Sequence, residues 1–180
     1  MNVMVLIREA CPDEWKTMRD VRLAALRDAP DAFGSTYARE AAFAEEQWRA
    51  RFHDHGVTYF AYLSGASGVS GASRVSGASR ADEPAGIAGV YEADGAADLV
   101  SMWVRPSARG RRTSPVAEEL VTACAGWARA RGHDELFLWV TESNTRARRL
   151  YERCGFTPTG DRQPLRSDPS LPEIRMRRKL

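Results

Sequence analysis

At 180 residues, 43% hydrophobic and 28% charged, the chain is long enough for one domain with a proper core and has ordinary globular composition. Its formal net charge of +2 is too balanced to argue for nucleic acid from the whole-chain field. The three cysteines, Cys11, Cys124 and Cys154, are widely spaced and odd in number, which calls for no disulfide framework, shows no metal-ligand spacing and fits a reducing compartment.

The first apolar run covers only Val3 to Ile7 before charges alternate, so neither a signal peptide nor a membrane span is expected, and a cytoplasmic protein without a membrane partner follows. Val3 to Arg8 reads as a strand. Pro12-Asp13-Glu14 begins a helix with an acidic first turn, and Trp15, Met18, Val21, Arg22 and Ala25 recur at helical spacing to about Arg27. Asp28 to Asp31 stops it, Ala32 to Ser35 is a loop, and Arg39 to Phe52 is predicted as one second helix. Val57 to Leu63 and Gly86 to Tyr91 read as neighbouring strands. Between them a Ser-Gly-Ala-Ser unit recurs from Ser64, Ser70 and Ser76; it buries too little to offset its ordering entropy, which predicts a flexible insertion at about 64–85.

Glu92 to Gly95 is a turn, and Asp98 to Val104 is a strand closed by Pro106. A basic turn, Arg109-Gly110-Arg111-Arg112, leads to Ser114-Pro115, a capping hydroxyl followed by a proline suited to the first helical position. The helix runs to Arg131 with Val116, Leu120, Cys124 and Trp127 on one face, and Gly132 ends it. Unpaired amides and the dipole at that helix start suit a phosphate; the bland alternative is a solvated basic turn. Leu136 to Val140 is unbroken apolar sequence, as expected of a central strand buried on both faces. Strand, helix and strand predict a right-handed parallel unit with its ligand-facing turn at the carboxyl end of the first strand. Asn144 or Ser143 caps a short helix to Arg153, and strands around Phe156–Thr159 and Glu173–Arg177 complete a mixed sheet.

Two stretches carry a resemblance to a known family. Val104-Arg105-Pro106 and Arg109-Gly110-Arg111 fit the acyl-CoA-binding motif of the GCN5-related N-acetyltransferase (GNAT) family, Arg/Gln-x-x-Gly-x-Gly/Ala after a Val-x-Pro strand end. The motif's central glycine falls on Arg112 and its second small residue on Ser114; an arginine there either pairs outward with a phosphate or blocks the turn. Asn144-x-x-Ala147-x-x-Leu150-Tyr151-x-x-x-Gly155-Phe156 resembles the family's late block nearly position for position. Ile7 to Ala10 and Glu173 to Met176 sit where the family has its first and last strands, so the resemblance spans nearly the whole chain apart from the insertion.

The resemblance implies a single-domain α/β fold over residues 1–180, a mixed central sheet flanked by helices on both faces. It implies acetyl transfer from acetyl-CoA to a primary amine, read here as that of a small molecule, with no metal. A non-catalytic acyl-CoA-binding or interaction domain on the same fold is the rival, homodimerisation stays open, and an RNA-binding reading lacks any aromatic-stacking signature. Backbone amides of Arg109, Gly110, Arg111, Arg112, Thr113 and Ser114 would hold the pyrophosphate, and backbone groups of Met102, Trp103 and Val104 the pantetheine arm. Asn144 and Arg148 would add cofactor contacts, and Tyr151 would protonate the departing thiolate. Phe33 and Tyr37 are expected to line the acceptor pocket. The base stays open among Glu92, Asp98 and Glu142, each near a strand end; Asp98 is also an acceptor-binding candidate.

Overall fold

The computed structural model describes residues 4–52, 54–64, 83–110 and 115–180. The serine-glycine repeat and positions 111–114 lie outside the described residues. Alternating sequence builds an antiparallel meander of β1 (Met4–Glu9), β2 (Gly56–Ser64), β3 (Gly86–Ala93) and β4 (Ala96–Val104). Among the described residues the sheet has seven strands in the order β1-β2-β3-β4-β5-β7-β6, with β5 (Glu135–Thr141) parallel to β4 and with β6 (Thr157–Leu165) and β7 (Asp168–Lys179) antiparallel to each other. Among the described residues no helix is long and apolar enough to cross a membrane.

On one face lies α1 (Trp15–Asp28), entered through a 3-10 turn at Pro12–Glu14. Glu14 fixes that entry by accepting from the Cys11 amide at 3.1 Å and from Arg8 at 2.8 Å. The apolar stripe of α1, including Met18, Val21, Ala25 and Leu26, packs on Phe60, Ile87 and Trp103. The single helix expected over Arg39–Phe52 is two short ones, α2 (Tyr37–Ala41) and α3 (Glu45–Arg49). The break has a local cause: the Gln47 side chain accepts the Ala44 amide at 2.9 Å, so the chain restarts a helix there instead of continuing one. Glu40 of α2 is fully buried and accepts from Arg22 of α1 at 2.9 Å, with Arg51 also 2.9 Å away, tying three segments of this layer together.

The other face carries α4 (Val116–Ala130), whose Leu120, Val121, Cys124 and Ala128 are buried against Ala88, Leu99, Leu136, Leu138 and Met176. Its start can sit on β3 because position 86 is glycine; a Cβ there would lie 2.9 Å from the Trp103 carbonyl oxygen and 3.1 Å from Val116. α5 (Thr145–Arg153) follows β5 on this side. The expectation that β5 is buried on both faces fails: Leu138 is buried, whereas Phe137 and Trp139 are half-buried. The helices of the opposite layer pack over β2 to β4, and β5 is covered there by the Arg175 guanidinium, 4.4 Å from the Phe137 ring and 5.6 Å from Trp139.

Candidate active site

The site begins as a register error in β4. The pairing Gly89–Val100 is followed by Ile87–Trp103, so two steps along β3 oppose three along β4, and Ser101 takes the left-handed conformation with φ 57°. This bulge moves the odd positions across the sheet: Leu99 faces the α4 layer and Trp103 the α1 layer. The β4–β5 ladder consists of Ala97–Leu136 and Asp98–Phe137 only. Beyond Asp98 the two strands part, and the carboxyl-terminal half of β4 faces a gap instead of a neighbour.

A cleft of about 910 Å³ occupies that gap. Its apolar lining includes Met102, Val104, Val116, Ala147 and Leu150, with Phe33, Ala29 and Ala32 at one side. Asn144 and Tyr151 line it from α5, and Arg109 and Gly110 from the turn after β4. The N-cap role expected for Asn144 is present, its side chain accepting the Ala147 amide at 3.1 Å. Tyr151 is buried and packed edge-on to Phe156; burial pushes its phenol well above the ordinary range, so it stays protonated at neutral pH. The expected phosphate-binding amides of Arg111, Arg112, Thr113 and Ser114 lie outside the described residues, and Gly110 enters that stretch with φ +69°, a conformation glycine adopts without strain.

Other predicted residues are placed elsewhere. Tyr37 does not line the cleft: its hydroxyl accepts from Arg27, whose guanidinium lies 4.1 Å over the ring. Arg148 turns out of the cleft and donates to the Glu142 carbonyl at 3.2 Å. The Glu142 carboxylate is paired with Arg162 of β6, also outside the cleft lining. Glu92 also lies apart from the cleft. It stands at the far end of β3, bound to Arg131 at 2.8 Å and His133 at 2.7 Å, and those hydrogen bonds hold its carboxyl down at about 2. Held in these contacts beside the carboxyl end of α4, its carboxylate is outside the cleft lining.

Asp98 does not line the cleft either; it stands where the strands begin to part, on the half-open face with Phe137. Burial pushes its carboxyl above the ordinary value, while Arg175 at 3.6 Å pulls it the other way. Its Oδ1 is buried without a hydrogen-bond partner among the described residues. No local pattern in the sequence points to Asp28. This last residue of α1 accepts from the Trp103 indole at 2.8 Å and pairs with Arg109, whose Nε donates to the Val104 carbonyl at 2.6 Å. Burial raises the Asp28 carboxyl, but the hydrogen bonds from Trp103 and Arg109, with the charges of Arg109 and Arg146, leave it below the ordinary value. Arg109 is therefore a strut between α1 and β4. The loop after α1 is pinned as well: Thr141 donates to the Asp31 carbonyl and Ser167 to that of Phe33, both at 2.6 Å.

Fold and cleft together define a single-sheet α/β protein that can hold a long, partly charged ligand between two parting parallel strands. The family model for the acetyltransferase (GNAT) family matches residues 23–156, and the chain belongs to that family; it is an N-acetyltransferase domain. Among solved structures it is similar to a GNAT-family acetyltransferase from Streptococcus pneumoniae, at 18% identity, TM-score 0.70, covering 98% of this chain and 99% of that one. It is similar to a ribosomal-protein-alanine N-acetyltransferase from Brucella melitensis at 19% identity and TM-score 0.66, covering 97% and 99%. It is also similar to the PaiA N-acetyltransferase of Thermoplasma acidophilum, crystallised with coenzyme A, at 12% identity and TM-score 0.62, covering 98% and 99%. No curated protein matches the sequence.

Proposed function

We propose that the chain transfers an acetyl group from acetyl-CoA to the primary amine of a small molecule. The observation that carries the reading is the cleft at the parted end of β4, with a protonated, buried Tyr151 in its lining. The residues fit the cofactor: apolar side chains of Met102, Val104 and Leu150 suit a pantetheine arm, and the arginines of the rim suit phosphates. When bound, acetyl-CoA supplies an acyl group already activated as a thioester.

The chain's own part is positioning and proton management. Met102 and Trp103 offer backbone groups that no β5 ladder uses, and Asn144 caps α5 while lining the cleft. Tyr151 holds a proton at Oη for a departing thiolate. Of the three carboxylates left open by the sequence, Asp98 is the base in this reading: it stands at the apex of the gap, and burial gives it more proton affinity than an ordinary aspartate. Its distance along β4 from Met102 implies relay through water. Pinning of the Asp31–Phe33 loop by Thr141 and Ser167 narrows the acceptor side and favours a small acceptor over a protein chain, the acceptor type named for the Brucella relative.

The test is turnover of acetyl-CoA against a panel of small amines and short peptides, alongside CoA binding. Transfer to small amines by the native protein, with CoA binding kept and transfer lost in Tyr151→Phe, is the expected result. CoA binding without transfer to any amine would contradict the small-amine assignment, and preference for peptides would reassign the acceptor.

A further inference from the structure

Among the described residues four arginines line the cleft, Arg109, Arg146, Arg149 and Arg153, and their partners divide them. Arg109 is held by Asp28 and the Val104 carbonyl. Arg153 is held by Glu118 and the Arg149 carbonyl, both at 3.2 Å. Arg146 and Arg149 are exposed and have no hydrogen bond or ion pair among the described residues, although the charge of Arg146 acts on the Asp28 carboxylate.

Their placement works against the helix that carries them. Arg146 is the second residue of α5, in the first turn, which has no acidic residue, and there the positive end of the helix dipole disfavours a cation. Arg149 stands three positions on, on the same face, so the two positive charges repel along the surface they share. α5 thus breaks two local rules at once, on the side that faces the cleft. Such conflicts mark function when an anion resolves them. Arg148, between the two, is directed to Glu142 and takes no part.

We propose that Arg146 and Arg149 form a subsite for a phosphate monoester, the one at the nucleotide end of the cofactor, separate from the diphosphate site expected at the turn before α4. The inference rests on the acetyl-CoA reading above. A monoester carries close to two negative charges at neutral pH and three acceptor oxygens, which two guanidinium groups one turn apart can share. Arg109, by contrast, already has its carboxylate and serves to hold α1 against β4.

Equilibrium titration of the native protein with CoA and with 3′-dephospho-CoA tests the subsite without knowledge of the acceptor. The native chain binds CoA about tenfold or more tightly than the dephospho compound, with the advantage shrinking as salt is added. The double variant Arg146→Gln, Arg149→Gln loses that advantage: its CoA affinity falls to the dephospho level, and its dephospho affinity stays as in the native protein. Both side chains are exposed, and an unchanged melting temperature confirms that the variant is folded. Equal native affinity for the two compounds overturns the subsite alone. A variant weakened equally toward both also overturns it, by placing the arginines on the diphosphate. Native protein that binds neither compound overturns the acetyl-CoA reading together with it.

Discussion

The two ends of β4 show what a sheet does with and without a neighbour. At its start, Ala97 and Asp98 are laddered to β5 on one side and to β3 on the other, and the nearby carboxylate Glu92 is spent on Arg131 and His133. At its finish, past the bulge at Ser101, the β5 ladder is gone and the strand faces a cleft. One strand therefore supplies both a closed structural end and an open chemical end. The lesson is that partners and burial set a carboxylate's proton affinity: Glu92 and Asp98 stand six residues apart near the same laddered end, yet hydrogen bonds from Arg131 and His133 drive the first down and burial drives the second up.

The strongest way to break this contrast is at Tyr151. Tyr151→Phe keeps the ring and its packing on Phe156 but removes the proton, so kcat falls about 10²- to 10⁴-fold in steady-state assays while CoA affinity stays within about twofold. An unchanged kcat would remove Tyr151 from the chemistry.

Next comes the support of the open end from the α1 layer. Glu40→Ala leaves Arg22 and Arg51 without their shared buried carboxylate and costs about 3–5 kcal/mol in denaturant melts. Burial raises the Glu40 carboxyl, but the two arginines hold it below the ordinary value. Its contribution is thus present above the unfolded value, about 4.3, and lost as pH falls through the lowered folded value.

A smaller effect sharpens the assignment of the base. An ionised Asp98 with a raised pKa places the acid limb of the kcat profile above the ordinary aspartate range. Arg175→Gln removes the charge that pulls it down, so the limb moves further up in pH; a limb that does not move with Arg175, or survives Asp98→Asn, would assign proton removal elsewhere. The smallest effect is expected at the closed end. Glu92→Gln leaves kcat/KM within about twofold of native, because the side chain touches nothing in the cleft.

How far the sequence could be read follows the range of each interaction. The α5 block was legible because its cap, its periodicity and the Gly155 stop all act within one helix, and the parallel β4–α4–β5 unit because each boundary has a local breaker. Helix α4 runs Val116–Ala130, within one residue of the expected ends. The fates of Glu92 and Glu142 were not legible, because Arg131, His133 and Arg162 come from other elements and no spacing rule places them. Asp28 was hidden for the same reason: its partners Trp103 and Arg109 lie more than seventy positions on. The half-open face of β5 escaped because an apolar run carries no mark of an arginine stacking on it from β7. Arg146 and Arg149 could have been found, since their spacing puts both on one face of a helix read correctly.

Amide hydrogen exchange of the native protein with and without CoA tests the central claim most directly, because it reads both ends of β4 in one experiment. Slowed exchange confined to residues 102–114, the first turn of α4 and α5, with no change around Glu92, Arg131 and His133, is the result this account predicts. Protection at the Glu92 end, or none along β4 and α5 at a CoA concentration that saturates the protein, would contradict it.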